Sequence, residues 1–151
     1  MASISSALRG HRWVGLDTSV FIYHLEGASR FADPAGVALT ELAMGAFEGV
    51  TSVLTLMEIA VKPLQLDRGD VADEYEILLT TYPHLTVADL DQTTARRAAE
   101  LRATHRLRPA DALQVAACLQ HGATALLTND TGLRRVPDLD VLLLADFVGP
   151  A

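Results

Sequence analysis

Short apolar runs and longer stretches of helical period alternate along the chain. Residues 13–16 (Trp-Val-Gly-Leu) form an apolar run closed by Asp17, which predicts a strand ending at an acid. Thr18 and Ser19 then open a segment with Val20, Phe21, Ile22 and Leu25 on one face, a predicted helix. After a loop over 27–33, Pro34 suits a helix start, and Val37, Leu39, Leu42, Ala43 and Phe47 carry its apolar face up to Gly49. The second strand is predicted over 50–54, and Thr55 opens a helix through Glu58 that breaks near Pro63. A further helix is expected over 71–82, ended by Pro83, and a third strand over 85–87. A long helix over 91–107 and an apolar one over 109–119, finished by Gly122, precede strands at 125–128 and 141–144.

Strands that alternate with helices need crossover connections, which are right-handed and yield a parallel sheet covered on both faces. The predicted fold is therefore α/β, three-layered, with a central parallel five-stranded sheet and its ligand chemistry at the carboxyl ends of the strands. The 151 residues suit a single domain spanning 1–151. Aromatic residues are only 5% against 50% hydrophobic residues overall, so the core is expected to be aliphatic. The one cysteine, Cys118, lies in an apolar helix and reads as a small hydrophobe; it cannot form an internal disulfide or a zinc-binding cysteine set. No apolar leader or membrane-length segment is evident, giving an expectation of a cytoplasmic protein without membrane contact.

Nineteen acids against twelve bases leave a formal charge of −7, which argues against indiscriminate nucleic-acid binding. The bases are unevenly spread: Arg96, Arg97, Arg102, Arg106 and Arg108 fall in one stretch, and Arg134 and Arg135 in another. A local basic rim is compatible with this, and Arg134 and Arg135 are the preferred candidates for phosphate contact. His11, His24, His84, His105 and His121 have no metal-ligand spacing.

Four acids fall where an α/β fold brings strand ends together: Asp17, Glu58, Asp111 and Asp130. Singly, each has an ordinary role. Asp17 would cap a helix, Asp111 would complement a helix dipole, Asp130 would serve a turn, and Glu58 would face solvent. Together they form a self-repelling cluster that a cation would neutralise, and an all-carboxylate set suits Mg²⁺ or Mn²⁺ rather than zinc. Thr18, Ser19 and Thr128 stand where hydroxyls would orient these carboxylates or cap the backbone. A phosphoacceptor receiver domain is excluded because the only lysine, Lys62, stands just before Pro63, and a haloacid-dehalogenase-type phosphatase would need an aspartate where Ser19 stands.

The segment Asp17-Thr18-Ser19-Val20-Phe21-Ile22-Tyr23 resembles the opening motif of PIN domains, and Thr55-Leu56-Met57-Glu58-Ile59 resembles their second. Pro109-Ala110-Asp111-Ala112-Leu113-Gln114-Val115-Ala116-Ala117 is similar to the third and Leu127-Thr128-Asn129-Asp130 to the fourth. With little sequence outside these motifs, the chain looks most like VapC-type toxins. The resemblance implies a PIN-like fold and a metal-dependent endoribonuclease, the toxin of a VapBC-type toxin–antitoxin pair. It implies Asp17 and Asp111 as principal ligands of Mg²⁺ (or Mn²⁺), with Glu58 and Asp130 completing the catalytic pocket directly or through water. It also implies an RNA substrate, a homodimer, and a VapB-like antitoxin offering a basic side chain to the acids. Phe21, Tyr23 and Phe47 are candidates for those contacts or for the core. The alternatives are an RNA-processing nuclease of the same fold without an antitoxin, and a silent binding module.

Overall fold

The computed structural model describes residues 3–149. Strands β1 (Trp13–Leu16), β2 (Glu48–Ser52), β3 (Leu85–Ala88), β4 (Ala125–Thr128) and β5 (Asp140–Leu143) pair in parallel in the order β3-β2-β1-β4-β5. The helices are α1 (Ile4–Arg9), α2 (Thr18–Glu26), α3 (Ala32–Ala43), α4 (Val53–Gln65), α5 (Gly69–Thr81), α6 (Gln92–His105) and α7 (Pro109–Gln120). This is the three-layer arrangement expected from the alternation of elements. The strand order reverses between β1 and β4, and a crevice at such a point is where open α/β sheets place ligands.

Period-two alternation along the strands feeds two cores. Val14, Leu16, Ala125 and Leu127 point to one face, where they join Leu8, Val20, Phe21, Leu39, Leu42 and Ile59. Val50 and Leu126 point to the other, against Leu101, Val115, Ala116 and Cys118. Most of these side chains are fully buried, and each such Leu or Val contributes about 1.5–3 kcal/mol of transfer free energy. The carboxyl ends of β1 and β4 are thus clamped from both sides, which makes them a stiff platform. Burial pushes the Cys118 thiol up to about 12, with the Asp17 charge adding to the effect, so it packs as the small hydrophobe its helix suggested.

Several expected boundaries move. Helix α1 was not anticipated, because only Ile4 and Leu8 mark its apolar face; Ser3 caps it. Helix α3 starts two residues before Pro34 and stops at Ala43, since Gly45 adopts φ 79° and turns the chain early. Strand β2 therefore begins at Glu48, and Ser52, not Thr55, precedes the first turn of α4, its hydroxyl accepting from the Leu54 amide. Glu58 consequently stands in the second turn of α4. Pro63 falls close enough to the C-terminal end that the helix continues to Gln65 instead of breaking there. Phe21 and Phe47 are core residues, 5% and 3% exposed, which removes them as contact candidates.

Gly15 sets how closely α7 approaches the sheet. A Cβ at this position would lie 2.6 Å from Cys118 Sγ and 3.0 Å from Leu126 Cδ1. Gly15→Ala is expected to lower unfolding stability by about 1–3 kcal/mol through overpacking, measured by urea denaturation; an unchanged midpoint would show that α7 can retreat freely.

Candidate active site

Asp17 follows the last residue of β1, and its amide continues the parallel ladder by donating to Leu127 O of β4 at 3.0 Å. Because Leu16 is in register with Leu127, Asp17 lies beside Thr128 on the neighbouring strand. The Thr128 hydroxyl donates to Asp17 Oδ2 at 2.7 Å, while Asp17 Oδ1 accepts the Thr18 amide at 2.9 Å and caps α2. The same Thr128 oxygen accepts the Asp130 amide at 3.1 Å, so one hydroxyl ties the two strand-end acids together. Asp130 Oδ1 accepts from the Gly132 amide at 2.8 Å and caps a short 3-10 turn over Thr131–Arg135.

Burial pushes the Asp17 carboxyl up from its ordinary value; the hydrogen bonds from Thr128 and Thr18 oppose this, and the charges of Asp111 and Glu58 add to it. Three of the four acids singled out in the sequence therefore share one electrostatic neighbourhood. The fourth is joined through Arg108, which bridges Asp111 and Asp130 at 3.2 Å to each. Among the described residues, no three Asp, Glu, His or Cys side chains gather closely enough to hold a metal ion as they stand.

Behind the acids runs a buried polar chain that no pattern of charges announced. Gln114, 4% exposed on α7, donates through Nε2 to Thr51 and Thr55 at 3.1 Å each, and its Oε1 accepts the Ser52 hydroxyl. Thr51 and Thr55 are 2.8 Å apart, Thr55 and Thr18 2.9 Å, and Thr18 donates to Glu58 Oε1 at 2.9 Å. A hydroxyl has one proton. Thr18 commits its proton to Glu58, so Thr55 must donate to Thr18 and Thr51 to Thr55. The hydroxyls thus form one series that ends on Glu58 and fixes the orientation of its side chain. The available signal in the sequence was Gln114 itself, a polar residue three positions after Asp111 on an otherwise apolar helix, and so on the same face.

The arginines sort differently from expectation. Arg134 is tied to Asp146 at 3.1 Å, Arg96 to Glu100, and Arg97 to Glu100 and Asp138. Arg106, Arg108 and Arg135 instead line one cleft with Asp111 and Asp130. On the other side of the acids, an apolar groove bounded by Ile22, Leu25, Ile59, Leu66 and Tyr75 reaches Glu58.

A model of the PIN domain family matches residues 14–139. The chain belongs to the PIN domain family. No curated protein matches it by sequence. Among solved structures, this PIN domain is similar to VapBC2 from Rickettsia felis bound to a DNA fragment of its promoter (TM-score 0.69, 18% identity, covering 87% of this chain and 98% of that one). It is also similar to a toxin–antitoxin complex from Klebsiella pneumoniae (TM-score 0.65, 21% identity, 87% and 97% covered). A third likeness is to FitAcB from Neisseria gonorrhoeae (TM-score 0.64, 21% identity, 87% and 98% covered). At these identities the likeness is one of fold. Within the PIN domain, Asp17 and Asp130 follow the two strands at the reversal of strand order, Glu58 stands on α4 and Asp111 on α7, and no helix among the described residues is long and apolar enough to cross a membrane.

The raised Asp17 carboxyl has a direct thermodynamic consequence. Between its ordinary pKa of 3.8 and its raised value, the folded state binds more protons than the unfolded one, so this group's contribution to stability falls as pH rises through that window. Asp17→Asn is expected to unfold at a higher temperature than the parent in chelator at pH 7, with the gap closing below pH 4. Thermal melts across that range check this, and a less stable variant at pH 7 would overturn it.

Proposed function

We propose that this PIN domain is a divalent-metal-dependent endoribonuclease and the toxin of a VapBC-type pair. One observation carries the reading: a half-buried Asp17 carboxylate, gripped by Thr128 and the Thr18 amide, stands in the field of Asp111 and Glu58 at the crevice of a parallel sheet. Gathering like charges at one crevice is costly without a cation, and Arg108 pairs with Asp111 and Asp130 but not with Asp17 or Glu58.

The donor set fits Mg²⁺ or Mn²⁺. It consists of carboxylates with no thiol or imidazole among them, and a hydrated octahedral cation needs only one or two direct carboxylates, its waters satisfying the rest. The buried Ser19 hydroxyl, two residues after Asp17, has no hydrogen-bond partner among the described residues, and water is the usual partner of such a group. Asp17 and Asp111 would hold the cation, with Glu58 and Asp130 reached directly or through water. When bound, such an ion acidifies water and offsets charge on a phosphoryl oxygen.

The chain's own residues do the rest. Thr128 and Thr18 lock the Asp17 carboxylate in one orientation, so little entropy is lost when it binds a ligand. The hydroxyl chain ending at Glu58 Oε1 orients this carboxyl group, and its second oxygen would accept a proton from attacking water. The arginines of the neighbouring cleft place positive charge where a phosphate backbone would approach the acids.

The antitoxin half of the reading rests on the apolar groove that ends at Glu58. An amphipathic segment laid there would bury Ile22, Leu25, Ile59 and Tyr75 against it and bring a basic side chain to the acids. Solved structures of like fold are VapBC and toxin–antitoxin complexes, which agrees with such a partner. A homodimer and a cytoplasmic location belong to the same proposal.

Cleavage of purified cellular RNA by the antitoxin-free protein tests it. Discrete cuts are expected with Mg²⁺ or Mn²⁺, none with chelator, and a loss of at least about 100-fold in Asp17→Ala and in Asp111→Asn, since both would remove a principal cation ligand. Cleavage at parental rates by either variant would falsify the assignment.

A further inference from the structure

Arg108 is the N-cap residue of α7, immediately before Pro109 and three residues before Asp111. Its guanidinium forks across two parts of the fold. Nε donates to Asp111 Oδ2 and Nη2 to Asp130 Oδ2, each at 3.2 Å. Asp130 uses its other oxygen for the Gly132 amide, so Oδ2 is the one left to face a cation. The arginine is 76% exposed, against 23% for Asp111 and 34% for Asp130, and therefore covers the acids from the solvent side.

A guanidinium and a divalent cation compete for the same carboxylate oxygens, because their positive charges repel at that distance. We infer that Arg108 is a displaceable counter-ion of the acidic site: it bridges Asp111 and Asp130 in the metal-free protein, yields both oxygens to a divalent cation, and then takes a phosphate of the RNA strand. The inference rests on the nuclease reading above. Three physical features support it. The exposed ion pair is weak, so leaving it costs little. The following proline holds the backbone of residue 108 in its extended conformation (φ −65°, ψ 153°), so any swing is made by the long side chain alone. The planar fork that matches two carboxylate oxygens matches phosphate oxygens equally well. Arg108 is thus a positioning residue for substrate, and while metal is absent it screens the repulsion between the acids.

The first measurement is Mn²⁺ binding to the metal-free protein, read from the electron paramagnetic resonance of free Mn²⁺. Arg108→Gln is expected to bind Mn²⁺ roughly two- to tenfold more tightly than the parent, the range set by the worth of an exposed ion pair. Arg108→Lys should fall between them, because it keeps the charge without the fork. Arg106→Gln should match the parent, since Arg106 shares the cleft but makes no ion pair with either acid. In saturating Ca²⁺, Arg108→Gln should also bind a fluorescein-labelled single-stranded RNA more weakly, with a salt dependence reduced by about one phosphate contact. Unchanged or weaker Mn²⁺ binding in Arg108→Gln overturns the counter-ion role, and unchanged RNA affinity and salt dependence overturn the phosphate role. A parent protein whose Mn²⁺ binding is insensitive to Asp111→Asn sinks the nuclease reading and this inference with it. Binding that Asp111→Asn abolishes and Arg108→Gln leaves untouched sinks this inference alone.

Discussion

A carboxylate withdrawn from water sets the terms for everything around it. Asp17 is carried on the end of β1, whose neighbours on both faces are fully buried, and its charge is uphill there. The Thr128 hydroxyl from the adjacent strand and the Thr18 amide at the start of α2 offset part of that cost. Both depend on the parallel register that puts Leu16 opposite Leu127; a slip by one residue would turn Asp17 and Thr128 to opposite faces and remove the contact.

The site is also tied to the core through α7. This helix presents Asp111 in its first turn and Gln114 one turn further along, and Gly15 allows it to settle against β1. Gln114 then reaches through the interior to Thr51 and Thr55, whose hydroxyls hand their protons on through Thr18 to Glu58. The acids of α4 and α7 are therefore positioned by a common polar chain and not by independent helix faces. Such networks specify geometry because each member left without a partner would carry its full desolvation penalty.

The net charge of −7 is unevenly distributed over the fold. Acids stand at the crevice, where Asp111 and Asp130 share Arg108, and on solvated helix surfaces. Several arginines are consumed in ion pairs with Glu100, Asp138 and Asp146, while Arg106, Arg108 and Arg135 are gathered beside the crevice. Local potential over about a Debye length governs an approaching phosphate more than the total does.

The alternation of strands and helices along the chain and the parallel sheet were legible in the sequence, as were the places of Asp17 after β1 and Asp130 after β4, because apolar periodicity and the position of an acid just after a strand are local properties. Boundaries were less legible: the left-handed turn at Gly45 and the short α1 carry too few residues to impose a period. Thr18 and Thr128 orient acids as their places beside the strand ends suggest, but the partner each takes, the burial of Gln114 and of Phe47, and the division of the arginines between ion pairs and the cleft were not legible. Each depends on a partner far along the chain, such as the 111 residues separating Asp17 from Thr128. What the sequence by itself determined is the alternation of strands and helices and the parallel sheet they form. Only the tertiary structure decided which polar atoms meet, because hydrogen bonds across a sheet are fixed by register and strand order, and neither is a property of any single segment.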